Sequence, residues 1–136
     1  MSVSTGIFPD DLLFDTHYQW IKAAGNTVLF GLTPYGLEIT GDILYLSLPP
    51  VGAAVAAGNA CGSLEAGKWV GRVYAPVSGR VTRINETVLA SPALIGHNPF
   101  HNWFAEIELS RSAELHELMD AAGVRVWLAR ELKDNA

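Results

Sequence analysis

The sequence predicts a mainly β protein, a small sandwich or barrel, with a short helical segment at its C-terminal end. Three observations carry this. Short apolar stretches recur along most of the chain, each bounded by glycine or proline, with little helical spacing between them. The composition is 49% hydrophobic and 17% charged over 136 residues, enough for one packed core in one domain. From about residue 111 the apolar spacing changes from a strand-like to a helix-like period.

In chain order, residues 1–16 read as an N-terminal leader in which Phe8, Leu12, Leu13 and Phe14 can pack onto the body. Thr27 to Thr33 reads as a strand stopped by Pro34. Asp42 to Leu48 reads as another, stopped by Pro49 and Pro50. Gly52 and Gly58 mark turns. Short strands follow at 60–65 and 69–74, joined by Ala66-Gly67-Lys68. Pro76 and Gly79 punctuate the next stretch. Arg80 to Asn85 and Trp103 to Leu109 alternate apolar and polar residues as strands do. A β domain over 17–110 is therefore expected, with a helical segment over 111–136 packed on it. There, Ser112 can cap a helix with Leu115, Leu118, Met119 and Ala122 inward, and Gly123 is a stop. Val124 to Lys133 reads as a second helix with Val124, Trp127, Leu128 and Leu132 inward, although Val124-Arg-Val-Trp127 also fits a strand.

The formal net charge of −5 argues against a phosphate-backbone binder, so no nucleic-acid partner is expected. The single cysteine, Cys61, leaves no internal disulfide, which suits a reducing compartment. The N-terminal segment has no basic stretch followed by an apolar one. No apolar stretch approaches the roughly 18 residues of a membrane span. A cytoplasmic protein without membrane insertion is the expectation.

The chain has three lysines, and only Lys68 is central; Lys22 and Lys133 lie towards the ends. Gly62-Ser-Leu-Glu-Ala-Gly67-Lys68 has the spacing of a phosphate loop, but Trp69 stands where Ser or Thr should hold magnesium. The next residues, Val70-Gly-Arg-Val-Tyr-Ala-Pro76, favour a strand rather than the helix that loop requires, and Glu65 would repel phosphate. The nucleotide reading fails on these grounds. His97 and His101 are four apart, but Pro99 between them argues against a zinc-binding helix, so no metal site is expected. His17 and His116 read as ordinary surface or loop histidines. Cys61 reads as a core residue, not a nucleophile. No triad order is recognisable, so no catalytic residue is assigned and a non-enzyme is expected. Lys68 reads as a lysine displayed on a turn.

The pattern on both sides of Lys68 carries a resemblance. Gly52-x-x-Val55-x-x-Gly58, then Glu65-x-x-Lys68, then Ala75-Pro76-Val77-Ser78-Gly79-x-Val81-x-x-Ile84-Asn85 resembles the lipoyl domain. His17-Tyr-Gln-Trp20, Gly31-Leu-Thr-Pro-Tyr35, Gly41-Asp-Ile-Leu-Tyr-Leu-Ser-Leu-Pro49, Asn98-Pro-Phe100 and Trp103 extend it to the H protein of the glycine cleavage system. The likeness runs from about residue 15 to 130. It implies a lipoyl/biotinyl-type flattened β-barrel, a barrel-sandwich hybrid of two small sheets. It also implies lipoic acid in amide linkage on Lys68, at a hairpin tip. Glu65 would then help the attaching enzyme recognise the site, and Gly67 would belong to the turn. Such a protein is a carrier without an active site of its own.

One departure bears on the cargo. H proteins usually read Glu-Ser-Val-Lys-Ala around the modified lysine, whereas this chain reads Glu65-Ala-Gly67-Lys68-Trp69-Val-Gly71. That form resembles the H-protein-like lipoate-binding proteins of bacterial sulfur oxidation. The resemblance therefore implies an arm that shuttles bound sulfur to a heterodisulfide-reductase-like complex, with Trp69 shielding the cargo or marking the partner. The alternative is the ordinary glycine-cleavage carrier of an aminomethyl group, whose partners are the glycine cleavage enzymes and dihydrolipoamide dehydrogenase. A lipoate-attaching enzyme is a partner in both. A third reading is an unmodified binding module.

Overall fold

Two antiparallel ladders face each other in the computed structural model, which describes residues 8–67 and 69–134. The first hairpin shows how local sequence sets them up. β2 (Gln19–Ala24) and β3 (Thr27–Leu32) pair with Ala24 opposite Thr27. Of the two turn residues only Gly25 has a positive φ, +61°, the place glycine takes in a type II′ turn. β1 (Leu13–Phe14) pairs with β2, and β9 (Ala105–Leu109) with β3. β8 (Gly79–Ile84) and β5 (Ala54–Val55) complete a six-stranded sheet in the order β1-β2-β3-β9-β8-β5. The second sheet has three strands, β4 (Ile43–Ser47), β6 (Ala60–Ala66) and β7 (Val70–Tyr74), in the order β4-β6-β7. The two sheets are not closed into one ring, and β7 is left at an edge.

The core lies between the sheets. Phe30, Val81 and Ile107 come from the large sheet, and Ile43, Leu64 and Val73 from the small one, each at most 3% exposed. β9 shows why the pattern works: Ala105, Ile107 and Leu109 are buried while Glu106 and Glu108 point away. A second cluster lies on the outside of β1 and β2. Phe8, Phe14 and Trp20 are buried there by Ala121, Val124 and Leu128 of α4 (Ala121–Asp134). Phe8, Leu12 and Phe14 of the expected leader are thus built into the fold, and residues 1–7 lie outside the described residues.

The predicted strands appear with shifts of a residue or two at their ends, but several short helices do not follow the sequence reading. Pro34 does stop a strand, yet it also opens α1 (Pro34–Thr40). The Thr33 hydroxyl caps that helix, accepting from the Gly36 N–H at 3.1 Å, and proline fits the first helical position. α2 (Glu86–Ala90) and α3 (Leu94–His97) are likewise short connectors, unforeseen in the sequence. Ser112–Glu117 is a 3₁₀ turn rather than a helix through Ala122. The reason is tertiary: Met119 exchanges two backbone hydrogen bonds of 2.8 Å with Phe14, so the chain must be extended there. Gly123 is not a stop but lies in the first turn of α4. Asp120 caps α4, its carboxylate accepting from Gly123 N–H at 2.7 Å. The open choice at Val124 resolves to helix. Val124 and Leu128 face inward as expected, while Leu132 is 38% exposed. Among the described residues no helix is long and apolar enough to cross a membrane.

Candidate functional site

The β6–β7 hairpin holds the residues singled out by sequence. Glu65 lies opposite Val70, Leu64 opposite Gly71 and Ser63 opposite Arg72. The connection is closed by Ala66 N–H donating to the Trp69 carbonyl at 2.8 Å. Lys68 lies outside the described residues; its neighbours in sequence are both placed. Gly67 is exposed, and a Cβ built on it would meet nothing within 4 Å. Glu65 is exposed on the adjoining strand, with Tyr45 of β4, 67% exposed, as its partner on the other side. The fold therefore brings Glu65, Gly67 and Trp69 to one turn.

Trp69 is 43% exposed, and its ring folds back over Gly71. A Cβ on residue 71 would fall inside that ring. Two apart along the extended chain leading into β7, the two residues lie on one side of it, so Gly71 is the space in which Trp69 lies. Val70, on the opposite face, is 70% exposed.

Beside this hairpin runs an open cleft of about 230 Å³. Its walls include Trp69 just before β7 and Arg72 within it, Ile39 and Thr40 from α1, and His17 and Tyr18 from the turn before β2. His17 stacks on Tyr74 with centroids 3.7 Å apart and planes 11° from parallel. Tyr18 sits at φ +64°, held by Thr33, whose N–H and hydroxyl both donate to the Tyr18 carbonyl. The far end of the cleft is fixed by Gln19, which is 2% exposed. Its carboxamide donates to the Tyr74 carbonyl at 2.8 Å and accepts from the Tyr74 N–H at 3.0 Å, as a neighbouring strand would. The same amide donates to Asp15 at 2.8 Å. The other Asp15 oxygen accepts from the N–H groups of His17 and Gln19. Burial pushes the Asp15 carboxyl above its ordinary range, against the pull of these donors.

Cys61 is half-buried, packed against the core as expected, and burial pushes its thiol up to about 11. His97 lies at the end of α3, and His101 and His116 are on exposed turns. No group of three metal-ligating side chains occurs among the described residues. Sequence reasoning missed the cleft. His17 and Tyr74 are adjacent only because Gln19 ties β2 to β7 across 55 residues of chain. The His17-Tyr-Gln-Trp20 segment was the available signal.

Two antiparallel sheets packed as a barrel-sandwich, with the exposed β6–β7 hairpin in the smaller one, make a lipoyl-type fold. Comparison with known proteins narrows this. A family model described as "Glycine cleavage H-protein" matches residues 12–131. The glycine cleavage system H protein of Carboxydothermus hydrogenoformans is 39% identical over 126 residues, covering 92% of this chain and 97% of that protein. That of Staphylococcus saprophyticus is 39% identical over 114 residues, covering 83% and 90%. The crystal structure of a glycine cleavage system H protein from Mycobacterium marinum is similar with a TM-score of 0.78 and 30% identity, over 85% of this chain and 94% of that one. The chain belongs to the glycine cleavage H-protein family. H proteins are lipoyl carriers without catalytic activity of their own.

Proposed function

We propose that this chain carries lipoate in amide linkage on Lys68 and passes an arm-bound group between partner enzymes. The observation that carries the reading is the β6–β7 hairpin, which gathers exposed Glu65, Gly67 and Trp69 around position 68 in an H-protein fold. Lipoate, when bound, supplies the thiol–disulfide chemistry. The chain's own residues do the presenting. Gly67 leaves open space beside the attachment point, and Glu65 offers the attaching enzyme an exposed carboxylate. Amide formation removes the lysine's charge.

The names of the relatives favour the glycine-cleavage cargo, an aminomethyl group, with the glycine cleavage enzymes and dihydrolipoamide dehydrogenase as partners. A second reading, a sulfur cargo passed to a heterodisulfide-reductase-like complex, is favoured by the Trp69–Gly71 pair, which puts a flat aromatic wall next to the attachment point.

Intact mass and peptide mapping of the protein from its native cell test the carrier reading. A lipoyl increment on Lys68 is expected; an unmodified chain under lipoate-replete conditions, or modification elsewhere, would overturn it. Lys68→Ala should abolish loading while leaving the melting temperature nearly unchanged. Reconstitution then separates the cargoes. Glycine decarboxylation supported by the loaded protein selects the first, and binding to the reductase-like complex without it selects the second.

A further inference from the structure

We propose that the lipoate-attaching enzyme docks on the outer face of the small sheet, on an apolar patch made by Leu44, Tyr45 and Val70 around Glu65. The inference rests on the carrier reading and adds the surface by which one partner holds the protein.

Val70 and Tyr45 are the two most exposed large apolar side chains among the described residues, at 70% and 67%. The ladders place them on either side of Glu65, Tyr45 of β4 on one flank and Val70 of β7 on the other. Cross-strand partners share a face, so the three side chains form one row across the sheet with the carboxylate in the middle. Tyr45 is in that row because of a bulge. Ile43 pairs with Ala66 and Tyr45 with Glu65, which leaves Leu44 as an extra residue on β4. Regular alternation from buried Ile43 would turn Leu44 outward and Tyr45 into the core. The bulge instead exposes both, Leu44 at 53%. The next row on the same face, Ser47, Ser63 and Arg72, gives the patch a polar border.

Reach selects the occupant. Enzymes that act on the dithiolane meet it a whole arm away from the backbone. The enzyme that forms the amide works at Lys68 Nζ, one side chain from the turn, so its contact surface must continue onto a flank of the hairpin. The outer flank offers apolar anchors around a carboxylate, which fits a partner surface that is apolar with an arginine or lysine opposite Glu65.

The test uses the unmodified protein, made in lipoate-starved cells, with the lipoate–protein ligase of its native cell, ATP and lipoic acid. ATP activates the carboxyl as an acyl-adenylate and releases pyrophosphate; Lys68 Nζ then displaces AMP and gives up a proton as the amide forms. Intact mass follows the product. Tyr45→Thr and Leu44→Thr, which keep a strand-forming residue, should each raise KM for the protein about tenfold with kcat unchanged, as loss of a docking anchor does. Val51→Thr, at a side chain 59% exposed outside the small sheet, should leave both constants alone. Glu65→Gln should raise KM in low salt and lose that effect in high salt, whereas the Tyr45→Thr effect should persist. Melting temperatures close to the parent's are the control for folding. An unchanged KM for both Tyr45→Thr and Leu44→Thr would overturn the docking face while leaving the carrier reading intact. So would a defect confined to the loaded variants reacting with the glycine cleavage enzymes, which would give the face to a cargo partner. Self-association of the free protein that Tyr45→Thr abolishes without changing KM would give it to a second copy, and also overturns the proposal. Failure of the parent chain to gain a lipoyl increment on Lys68 overturns the carrier reading and this inference with it.

Discussion

Gly71 and Gly62 stand on neighbouring strands, yet a methyl group at each would meet different resistance. At Gly71 it meets the Trp69 ring, which is partly exposed and can swing towards solvent. At Gly62 it meets the Ser47 carbonyl of β4, which is fixed in the sheet. Gly71→Ala should therefore cost less than about 1 kcal/mol and move the Trp69 indole signal, whereas Gly62→Ala should cost about 1–3 kcal/mol, typical of forced overpacking. Urea titration with indole N–H spectra checks both, and equal costs would show that Trp69 is as immovable as backbone. Cys61 gives a second residue-scale prediction. With its thiol held at about 11, its thiolate fraction at pH 8 is on the order of 10⁻³. Iodoacetamide should label it far more slowly than a free cysteine peptide at that pH, which leaves an attached dihydrolipoyl arm as the reactive thiol.

The element that decides the site is the edge of β7, and its keystone is Gln19. Removing that carboxamide strips Tyr74 of both edge partners and Asp15 of a donor, all in a residue 2% exposed. Gln19→Ala should cost about 2–4 kcal/mol and perturb the His17–Tyr74 stack. Unfolding with near-ultraviolet circular dichroism measures both effects. Asp15 adds a pH dependence. Its folded carboxyl holds a proton more tightly than an aspartate's ordinary value of 3.8, so its contribution to stability is full below 3.8. That contribution is lost as pH rises through the raised folded value. Comparing denaturation of the parent chain and Asp15→Asn across that interval isolates it: the variant should lack the downward slope. Edge pairing of this kind is invisible in a linear pattern, because Gln19 reads as one polar residue beside an apolar strand.

Over the whole molecule, the two hydrophobic clusters divide the work. The inter-sheet core makes the module, and the outer cluster holds α4 against β1 and β2. Leu128 is 2% exposed in that outer cluster, so Leu128→Ala should lower stability by about 2–5 kcal/mol through cavity formation. Since the hairpin belongs to the other sheet, the lipoylation proposed for Lys68 should survive the change at temperatures below melting. A variant that stays folded yet is no longer lipoylated would show that α4 takes part in recognition by the attaching enzyme.

Residue alternation in Trp103 to Leu109, the glycine and proline breaks, and the spacing around Lys68 are local properties, and they were enough to determine the β class, most strands and the position to watch. Local chemistry also determined what the chain is not, since Trp69 and the strand after it exclude a phosphate loop. What only the tertiary structure decided depends on partners distant in sequence. The Ser112 helix gave way to a 3₁₀ turn because Met119 is claimed by Phe14. Gly123 continues a helix because Asp120 caps it. The cleft exists because Gln19 closes one end of an edge strand and Trp69, lying over Gly71, walls the other. Side-chain period reports which face is buried; it carries no record of which edge is left open or what comes to lie along it.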